Sequence, residues 1–259
     1  MKIDSFAFII IAYHPEAEGF ARLLRILPSE ETIVVDNGQT LVSDDVGRAT
    51  LISQSKNLGY GAAANIGIRH AIAHGAEWFV VINQDVAVNR AAVDDMTKQL
   101  SKLEPCIAGP FTGGIDCKRW TTILPSLRTD YISGSCIAIH RKVIEKIGYF
   151  YEPYFLYYEE ADYCVRAKRA GFSLRRLDIE SISHEESVSL GRGSSLHQYY
   201  LARNHLLFLE RQAPDMMKLR EAVRFPKTIT EHIRNREQGA LMGIRDYLFR
   251  RLGPYGGRL

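Results

Sequence analysis

The chain has few cysteines, and they are not spaced as a zinc site or a disulfide framework. Its 259 residues include only Cys106, Cys117, Cys136 and Cys164, with no C-x-x-C pair. Structural zinc sites and disulfide-stapled domains need close or numerous cysteines. Three of the four stand among apolar or small residues, as buried thiols do. We therefore expect reduced thiols in a cytoplasmic protein.

Long apolar runs and a strong net charge are also absent. No segment reaches the roughly 18 apolar residues of a membrane span, and residues 1–4 lead into a strand-like stretch without the apolar region of a signal peptide. The net charge of +3 indicates no particular partner, and we expect no nucleic acid.

The charge is unevenly distributed, however. Residues 215–259 contain 10 Lys and Arg against 5 Asp and Glu. In this tail Arg245, Arg250 and Arg251 flank the apolar and aromatic residues 247–249, a combination that suits an interfacial helix. We therefore expect peripheral contact with the inner face of the cell membrane.

What the sequence does contain is the alternation of strands and helices that is typical of a parallel sheet. Continuous apolar runs are typical of strands buried on both faces. Strands are predicted at 6–12, 32–36, 51–53, 78–82, 135–140, 173–177 and 179–184, and helices at 17–27, 61–74, 90–103, 159–170, 196–211 and 214–251.

These elements predict an α/β protein with a Rossmann-like, mostly parallel central sheet flanked by helices. We assign the sheet domain to residues 1–212 and a basic helical extension, packed on or beside it, to residues 213–259. Within the extension we expect the helix to break near Pro226 and again near 239–243.

Polar side chains follow three of the predicted strands. They are His14 after the first strand, Asp36 and Asn37 after the second, and Asn83, Gln84 and Asp85 after the fourth. Ligands of open α/β sheets bind beyond the carboxyl ends of strands. An Asp there can accept from a base or a ribose, and Asp85 can offer oxygen to a divalent ion that holds a diphosphate. A turn-forming role is the alternative for each single Asp.

A glycine- and alanine-rich segment, residues 57–67, precedes a helix. Small residues allow close approach of a ligand to the backbone, and the helix start favours anions. The segment is neither a Walker loop nor G-x-G-x-x-G. Tight packing under the sheet and ligand contact both remain open for it. The positions of interest are Asn57, Gly59, Tyr60 and Asn65.

Three carboxylates, Glu159, Glu160 and Asp162, open a predicted helix behind an aromatic run. Mutual repulsion and apolar neighbours can raise the pKa of one of them to suit a general base, whereas a capped, solvated helix start is the plainer interpretation. Downstream, His184 can complete a metal or phosphate site with Asp85. Arg203 suits a phosphate. A structural histidine and an exposed helix charge are the alternatives.

In this order the motifs resemble those of family 2 inverting glycosyltransferases with a GT-A fold. The similarity is greatest to rhamnosyltransferase-like and galactofuranosyltransferase-like members of bacterial cell-surface polysaccharide pathways. It spans roughly residues 5–210 and includes Gly134 and Ser135 before a strand and the aromatic residues Tyr157 and Tyr158.

The resemblance implies roles for these positions. Asp36 would contact the nucleotide base or ribose, and Asp85 would be the retained ligand of a D-x-D turn whose first position is Asn83 here. Mg²⁺ or Mn²⁺ would be held by Asp85 and His184. Glu160 stands at the usual Asp position of the base, with Asp162 as the competing candidate and Glu159 beside them. The further donor contacts would be His14, Asn37, Asn57, Gly59, Tyr60, Asn65, Gln84 and Arg203, and the acceptor contacts Gly134, Ser135, Tyr157 and Tyr158.

The function implied is transfer of a sugar, with inversion, from dTDP-rhamnose or a UDP-sugar to a hydroxyl of a cell-surface or lipid-linked glycan. Two alternatives stay open: a degenerate relative that binds nucleotide-sugar or glycan without turnover, and a sugar nucleotidyltransferase. The second would need a Gly-rich, basic loop after the first strand, which residues 12–15 do not provide. The resemblance also leaves room for a homodimer.

Overall fold

The computed structural model describes residues 5–184 and 193–256 and shows a central sheet of seven strands between helices. Residues 1–4, which bear on the signal-peptide expectation, lie outside the described residues. The strands are β1 Phe6–Ala12, β2 Thr32–Asp36, β3 Thr50–Ser53, β4 Trp78–Asn83, β5 Val86–Val88, β6 Ile107–Gly109, β7 Thr112–Ile115, β8 Thr122–Ile123, β9 Tyr131–Ile132, β10 Cys136–His140, β11 Leu174–Arg176 and β12 Ile182–His184. The helices are α1 Ala17–Ile26, α2 Ser43–Val46, α3 Tyr60–Ala73, α4 Arg90–Leu100, α5 Arg141–Ile147, α6 Glu159–Arg169, α7 Ser195–Gln212, α8 Asp215–Arg234 and α9 Gln238–Leu248.

The sheet is mostly parallel, as predicted. Its order is β11-β6-β10-β4-β1-β2-β3, and only β10 runs antiparallel to its neighbours β4 and β6. In the parallel centre Ala12 pairs with Asp36 and Ile11 with Asn83. The carboxyl ends of β1, β2 and β4 therefore meet at one edge of the sheet, and the polar residues that follow them come together there.

Burial on both faces explains the continuous apolar runs. Successive residues of β1 point to opposite faces, so that Ile9 belongs to one apolar core and Ile10 to the other, and neither is exposed. Gly67 of α3 lies directly over β1: a Cβ at this position would approach Ile9 Cγ2 to 2.4 Å. Part of the glycine-rich segment therefore serves tight packing of α3 on the sheet.

Two small antiparallel sheets complete the β structure. One joins β5 to β12, and the other has the order β8-β7-β9. Strands β5 to β9, each of two to four residues, were not predicted.

The predicted break near Pro226 is wrong, whereas the second break is present and lies slightly earlier than predicted, at residues 235–237 between α8 and α9. Pro226 lies inside α8, on its exposed side, where the Thr230 hydroxyl donates to the Pro226 carbonyl. Gly239 and Gly243 lie inside α9, which packs on α7. A Cβ at Gly239 would stand 1.9 Å from the Ser195 carbonyl oxygen, so these glycines permit close helix contact.

The four cysteines are free, and three of them are buried, as expected. Burial raises the pKa of the Cys136 and Cys164 thiols to about 12, so both stay protonated. None of the helices in the described ranges combines the length and the apolar character that a membrane span requires.

Candidate active site

A cavity of about 320 Å³ opens at the sheet edge where β1, β2 and β4 end. Its walls come from the strand ends, the start of α3, the loop before α6 and the C-terminal segment. The lining residues are Ile11, Tyr13, Asn37, Asn57, Gly59, Tyr60, Asn83, Gln84, Asp85, Phe155, Leu156, Leu196, Tyr200, Pro254 and Tyr255. Seven of the predicted donor contacts are among them: Asn37, Asn57, Gly59, Tyr60, Asn83, Gln84 and Asp85.

Asp36 is not one of them and builds the loop beside the cavity. Its carboxylate is fully buried and accepts backbone N–H groups of Gly38, Thr40 and Leu41 at 2.9–3.0 Å. The predicted base or ribose contact therefore needs correction. A carboxylate occupied by three backbone donors shapes the turn that carries Asn37.

His14 also lies outside the cavity wall, and Tyr13 takes the place predicted for it. The Gln84 amide bonds the Tyr13 backbone twice, accepting from its N–H at 2.7 Å and donating to its carbonyl at 3.0 Å. His14 itself is exposed. Gln84 thus fixes the end of β1 against the turn after β4.

Asn37 and Asn57 clamp the entry into α3. The Asn37 amide donates to Asn57 Oδ1 at 2.9 Å and accepts from the Leu58 N–H, while Asn57 Oδ1 also accepts from the Gly59 N–H. Gly59 has a left-handed backbone (φ +85°), and a Cβ there would lie 2.3 Å from the Phe155 carbonyl. Only glycine fits this position.

The two other predicted residues of this segment have separate tasks. The Tyr60 hydroxyl donates to the Gly134 carbonyl at 2.6 Å. Asn65 is fully buried away from the cavity, where its amide donates to the Phe150 carbonyl at 3.0 Å and accepts from the Phe150 N–H. Asn65 therefore holds α3 to the loop before α6, which corrects its prediction as a donor contact.

Asp85 and His184 come together, as the motifs implied. The pairing of β12 with β5 sets His184 opposite Val86 and brings its Nε2 to 3.2 Å from Asp85 Oδ1. In the described part of the chain, no third His, Cys, Asp or Glu completes a metal-binding group.

A carboxylate and an imidazole fit a Mn²⁺-like ion, and ions of this kind are commonly held by one or two protein ligands plus substrate phosphates. Asp85 and His184 therefore suit a metal that shares its coordination with a diphosphate.

The acidic helix start places Glu159 and Glu160 in enclosed surroundings. Glu160 Oε2 and Glu159 Oε2 are both buried and lack a hydrogen-bond partner within the described residues. Burial raises the pKa of Glu160 from 4.5 to about 7, although backbone N–H groups of residues 160, 161 and 134 lower it. Burial, and secondly the charge of Glu160, raises the pKa of Glu159 well above 4.5. A carboxyl with a pKa near 7 is only partly ionised at neutral pH, so Glu160 can both accept and release a proton there.

Asp162 belongs to a structural network instead. It is fully buried, and its carboxylate accepts from Arg166 Nε at 2.9 Å, Arg211 Nε at 3.0 Å and Gln212 Nε2 at 2.7 Å. The Tyr154 hydroxyl adds a bond of 3.3 Å. Because both carboxylate oxygens are already occupied by donors, the geometry disfavours Asp162 as the base.

The loop between the cavity and the acidic helix has an unusual backbone. Phe155, Tyr157 and Tyr158 all have positive φ, between 66° and 75°. Non-glycine residues rarely adopt this region, and such strain persists only where the surroundings enforce it. The loop turns the chain so that α6 begins at Glu159.

Two neighbouring residues of α7 hold this loop. The Asn204 amide donates to the carbonyls of Tyr154, Leu156 and Tyr157 at 2.6–3.0 Å. Arg203 is fully buried and donates to the Tyr154 carbonyl at 2.6 Å. The predicted phosphate contact of Arg203 is thus corrected, since its guanidinium binds backbone carbonyls outside the cavity wall.

The four predicted acceptor residues differ in how deeply they are buried. The Tyr158 ring is buried against Phe208, and Ser135 is buried with its hydroxyl 3.0 Å from Ser133 Oγ. Neither is placed to contact a sugar directly. Gly134 lies under the Tyr60 ring. Tyr157 is half-buried, with its ring edge-on to His197.

Sequence reasoning missed the contribution of the C-terminal residues. Tyr200, Pro254 and Tyr255 line the cavity although they lie far along the chain from its other walls. In the sequence, the only indication of this contribution was the aromatic pair Tyr199 and Tyr200, which lies close to Arg203 and Asn204.

Comparisons with known proteins agree with the geometry. The family model described as glycosyl transferase family 2 matches residues 8–167. The chain is 28% identical to the low-salt glycan biosynthesis hexosyltransferase Agl10 of Haloferax volcanii over 236 residues, covering 79% of this chain and 75% of that protein. It is 24% identical to the dTDP-rhamnosyl transferase RfbF of Shigella flexneri over 247 residues, covering 83% of each.

Solved structures share the fold at lower identity. GalNAc-T7 with UDP, GalNAc and Mn²⁺ superposes with a TM-score of 0.60 at 12% identity, over 90% of this chain and 57% of that one. S. aureus TarS 1–349 in complex with UDP-GlcNAc superposes with a TM-score of 0.53 at 16% sequence identity. The match covers 83% of this chain and 69% of that one. The GT-A fold expected from the sequence is thereby confirmed.

The curated relatives are all named as transferases, which favours neither a binder without turnover nor a nucleotidyltransferase. The family model covers more than half of the chain. The protein therefore belongs to glycosyl transferase family 2 and is a glycosyltransferase.

Proposed function

We propose that the protein transfers a sugar, with inversion, from dTDP-rhamnose or a UDP-sugar to a hydroxyl of a lipid-linked or cell-surface glycan. The observation that carries the proposal is the contrast between two neighbouring acids. Glu160 has a buried oxygen without a partner and a pKa near 7, whereas Asp162 is occupied by two arginines. The α6 helix thus presents one carboxylate that is ready to accept a proton.

In the proposed reaction Glu160 acts as the general base. It takes the proton of the acceptor hydroxyl as that oxygen bonds to the anomeric carbon of the donor sugar. The bond from this carbon to the diphosphate oxygen breaks on the opposite face, and the nucleoside diphosphate leaves.

The donor would lie in the cavity at the sheet edge. Asn37 and Asn57 offer amide groups near its base and ribose, and Asp85 with His184 would hold Mg²⁺ or Mn²⁺ at its diphosphate. The bound ion would neutralise charge that develops on the leaving diphosphate. The dTDP-rhamnosyl transferase among the relatives supports a dTDP donor.

We further propose that the acceptor is lipid-linked and that the enzyme works at the cytoplasmic side of the membrane. A relative from Mycobacterium tuberculosis, 25% identical over 254 residues, is named N-acetylglucosaminyl-diphospho-decaprenol L-rhamnosyltransferase. The basic C-terminal helices also expose apolar side chains, which suits an interfacial surface. These are Met216, Leu219, Val223, Leu248 and Phe249.

A thermal-unfolding screen tests the donor and the metal together. dTDP-rhamnose, UDP-galactofuranose, UDP-glucose and GDP-mannose are each added with Mg²⁺, with Mn²⁺ or with a chelator. We expect a dTDP- or UDP-sugar to raise Tm only when the metal is present, because ligand binding stabilises the folded state. The gain should vanish in Asp85→Asn and persist in the control Asp44→Asn, which alters an exposed residue of α2. Equal stabilisation with and without metal, unaffected by Asp85→Asn, would refute the assigned metal site.

A further inference from the structure

The last described residues return to the cavity. Helix α9 ends at Leu248, and residues 252–256, here called the return segment, run back beside the loop that precedes α6. Two of them, Pro254 and Tyr255, form part of the cavity wall. They lie well beyond residues 8–167, so the family match assigns them no role.

Gly253 anchors the return segment at two points. Its N–H donates to the Pro153 carbonyl at 3.0 Å, and its carbonyl accepts from the Arg203 guanidinium. Gly253 has φ of +91°, a conformation that favours glycine. Because Arg203 also holds the Tyr154 carbonyl, one buried cation joins the return segment to the loop that leads to the acidic helix.

Tyr255 is held in a defined position by its neighbours on α7. Its N–H donates to the Tyr200 hydroxyl at 2.9 Å, and its ring meets Tyr199 edge-to-face at 4.7 Å. The Tyr200 ring in turn stacks on Phe155 at 5.3 Å. Phe155, Tyr200 and Tyr255 thus form an aromatic wall of the cavity.

Such a wall suits a nucleotide better than a free phosphate or metal. Aromatic side chains bind bases and sugar faces through stacking and apolar contact, without needing hydrogen bonds to the base. The charged and amide groups of the same cavity, Asp85, Asn37 and Asn57, lie on the strand ends and the entry to α3. The cavity therefore combines a polar floor with an aromatic wall supplied by the C-terminal residues.

We propose that Tyr255 is a donor-binding residue whose ring contacts the nucleoside diphosphate moiety of the donor. The return segment is then a working part of the active site, added after the residues that the family model matches. This inference rests on the proposed function of the cavity as the donor site.

Calorimetric titration with UDP and with dTDP, each in the presence of Mn²⁺, tests it. Tyr255→Ala should bind the better of the two nucleotides about tenfold more weakly than the wild type, the loss typical of removing one stacked aromatic ring. Phe249→Ala is the matched control, because Phe249 lies in the same tail, is 69% exposed and is outside the cavity wall. Its affinity should equal that of the wild type.

Tyr255→Leu is a second variant that separates loss of the aromatic ring from loss of folding. It keeps an apolar side chain beside Tyr199 and removes only the aromatic face. We expect it to weaken binding as well, with unchanged thermal unfolding of the ligand-free protein. Wild-type affinity in Tyr255→Leu and Tyr255→Ala would overturn the role of Tyr255 and leave the donor site itself intact. Failure of the wild type to bind either nucleotide would overturn the proposed donor site together with this inference.

Discussion

Replacing Glu160 by glutamine should remove activity and, at alkaline pH, increase stability. The substitution keeps the shape of the side chain and removes its charge. Burial raises the pKa of Glu160 from 4.5 to about 7, so carrying the charge in the folded state costs about 3 kcal/mol. Glutamine avoids this cost at every pH. As the general base, Glu160 should contribute about 10²- to 10⁴-fold to the transfer rate.

The sign of the pH dependence follows from the direction of the shift. A carboxyl with a raised pKa in the folded state stabilises the fold below pH 4.5, and this contribution is lost as the pH rises to about 7. Wild type and Glu160→Gln should therefore unfold similarly in urea at about pH 4.5, and the variant should be up to about 3 kcal/mol more stable at about pH 8. Wild-type transfer should rise as the pH passes through about 7, since only the ionised carboxylate accepts a proton.

Urea unfolding at both pH values and a transfer assay with a stabilising donor measure these effects. Glu145→Gln is the control, because Glu145 lies on α5 with its side chain 57% exposed and paired with Arg141. Glu145→Gln should change neither the free energy of unfolding nor the transfer rate appreciably. Undiminished transfer by Glu160→Gln would refute the assignment of the base. A stability difference that does not vary with pH would refute the argument from burial.

Two further predictions concern the scaffold behind the acidic helix. Asp162→Asn should lower the free energy of unfolding by about 3–5 kcal/mol, because it leaves two partly buried arginines without their counter-charge; urea unfolding measures this, and stability equal to that of the fully exposed control Asp215→Asn would contradict it. Asn204→Ala should release the carbonyls of residues 156 and 157, whereas Arg203 still holds that of residue 154. We expect it to reduce kcat more than it raises the donor KM, with a stability loss of about 2 kcal/mol. Steady-state kinetics decide this case, and an unchanged kcat would show that the strained loop does not depend on Asn204.

The sequence predicted the sheet well, because a strand buried on both faces must be apolar throughout. Runs such as β1 and β4 are recognisable for this reason, and parallel alternation then brings their polar ends to one edge. Asn83, Gln84 and Asp85 could therefore be placed at the cavity before any contact was known. The helix break predicted at Pro226 is absent, because α8 continues through this exposed proline and local propensity is overridden. The second break lies at residues 235–237 rather than at 239–243, because Gly239 and Gly243 serve the close packing of α9 on α7.

The roles of individual polar groups depend on contacts between residues that are distant in the chain. From the sequence alone, Glu160 and Asp162 are equally good candidates for the general base. The structure separates them, because Arg211 and Gln212, about 50 positions away, donate hydrogen bonds to Asp162 and not to Glu160. Apolar periodicity thus predicted the fold class and the edge of the sheet where the cavity lies, and the resemblance of the motifs indicated the family. Tertiary structure alone decided which carboxylate stays available, which arginine is buried, and that Tyr255 reaches the cavity, because pKa values and hydrogen bonds depend on spatial neighbours rather than on neighbours in sequence.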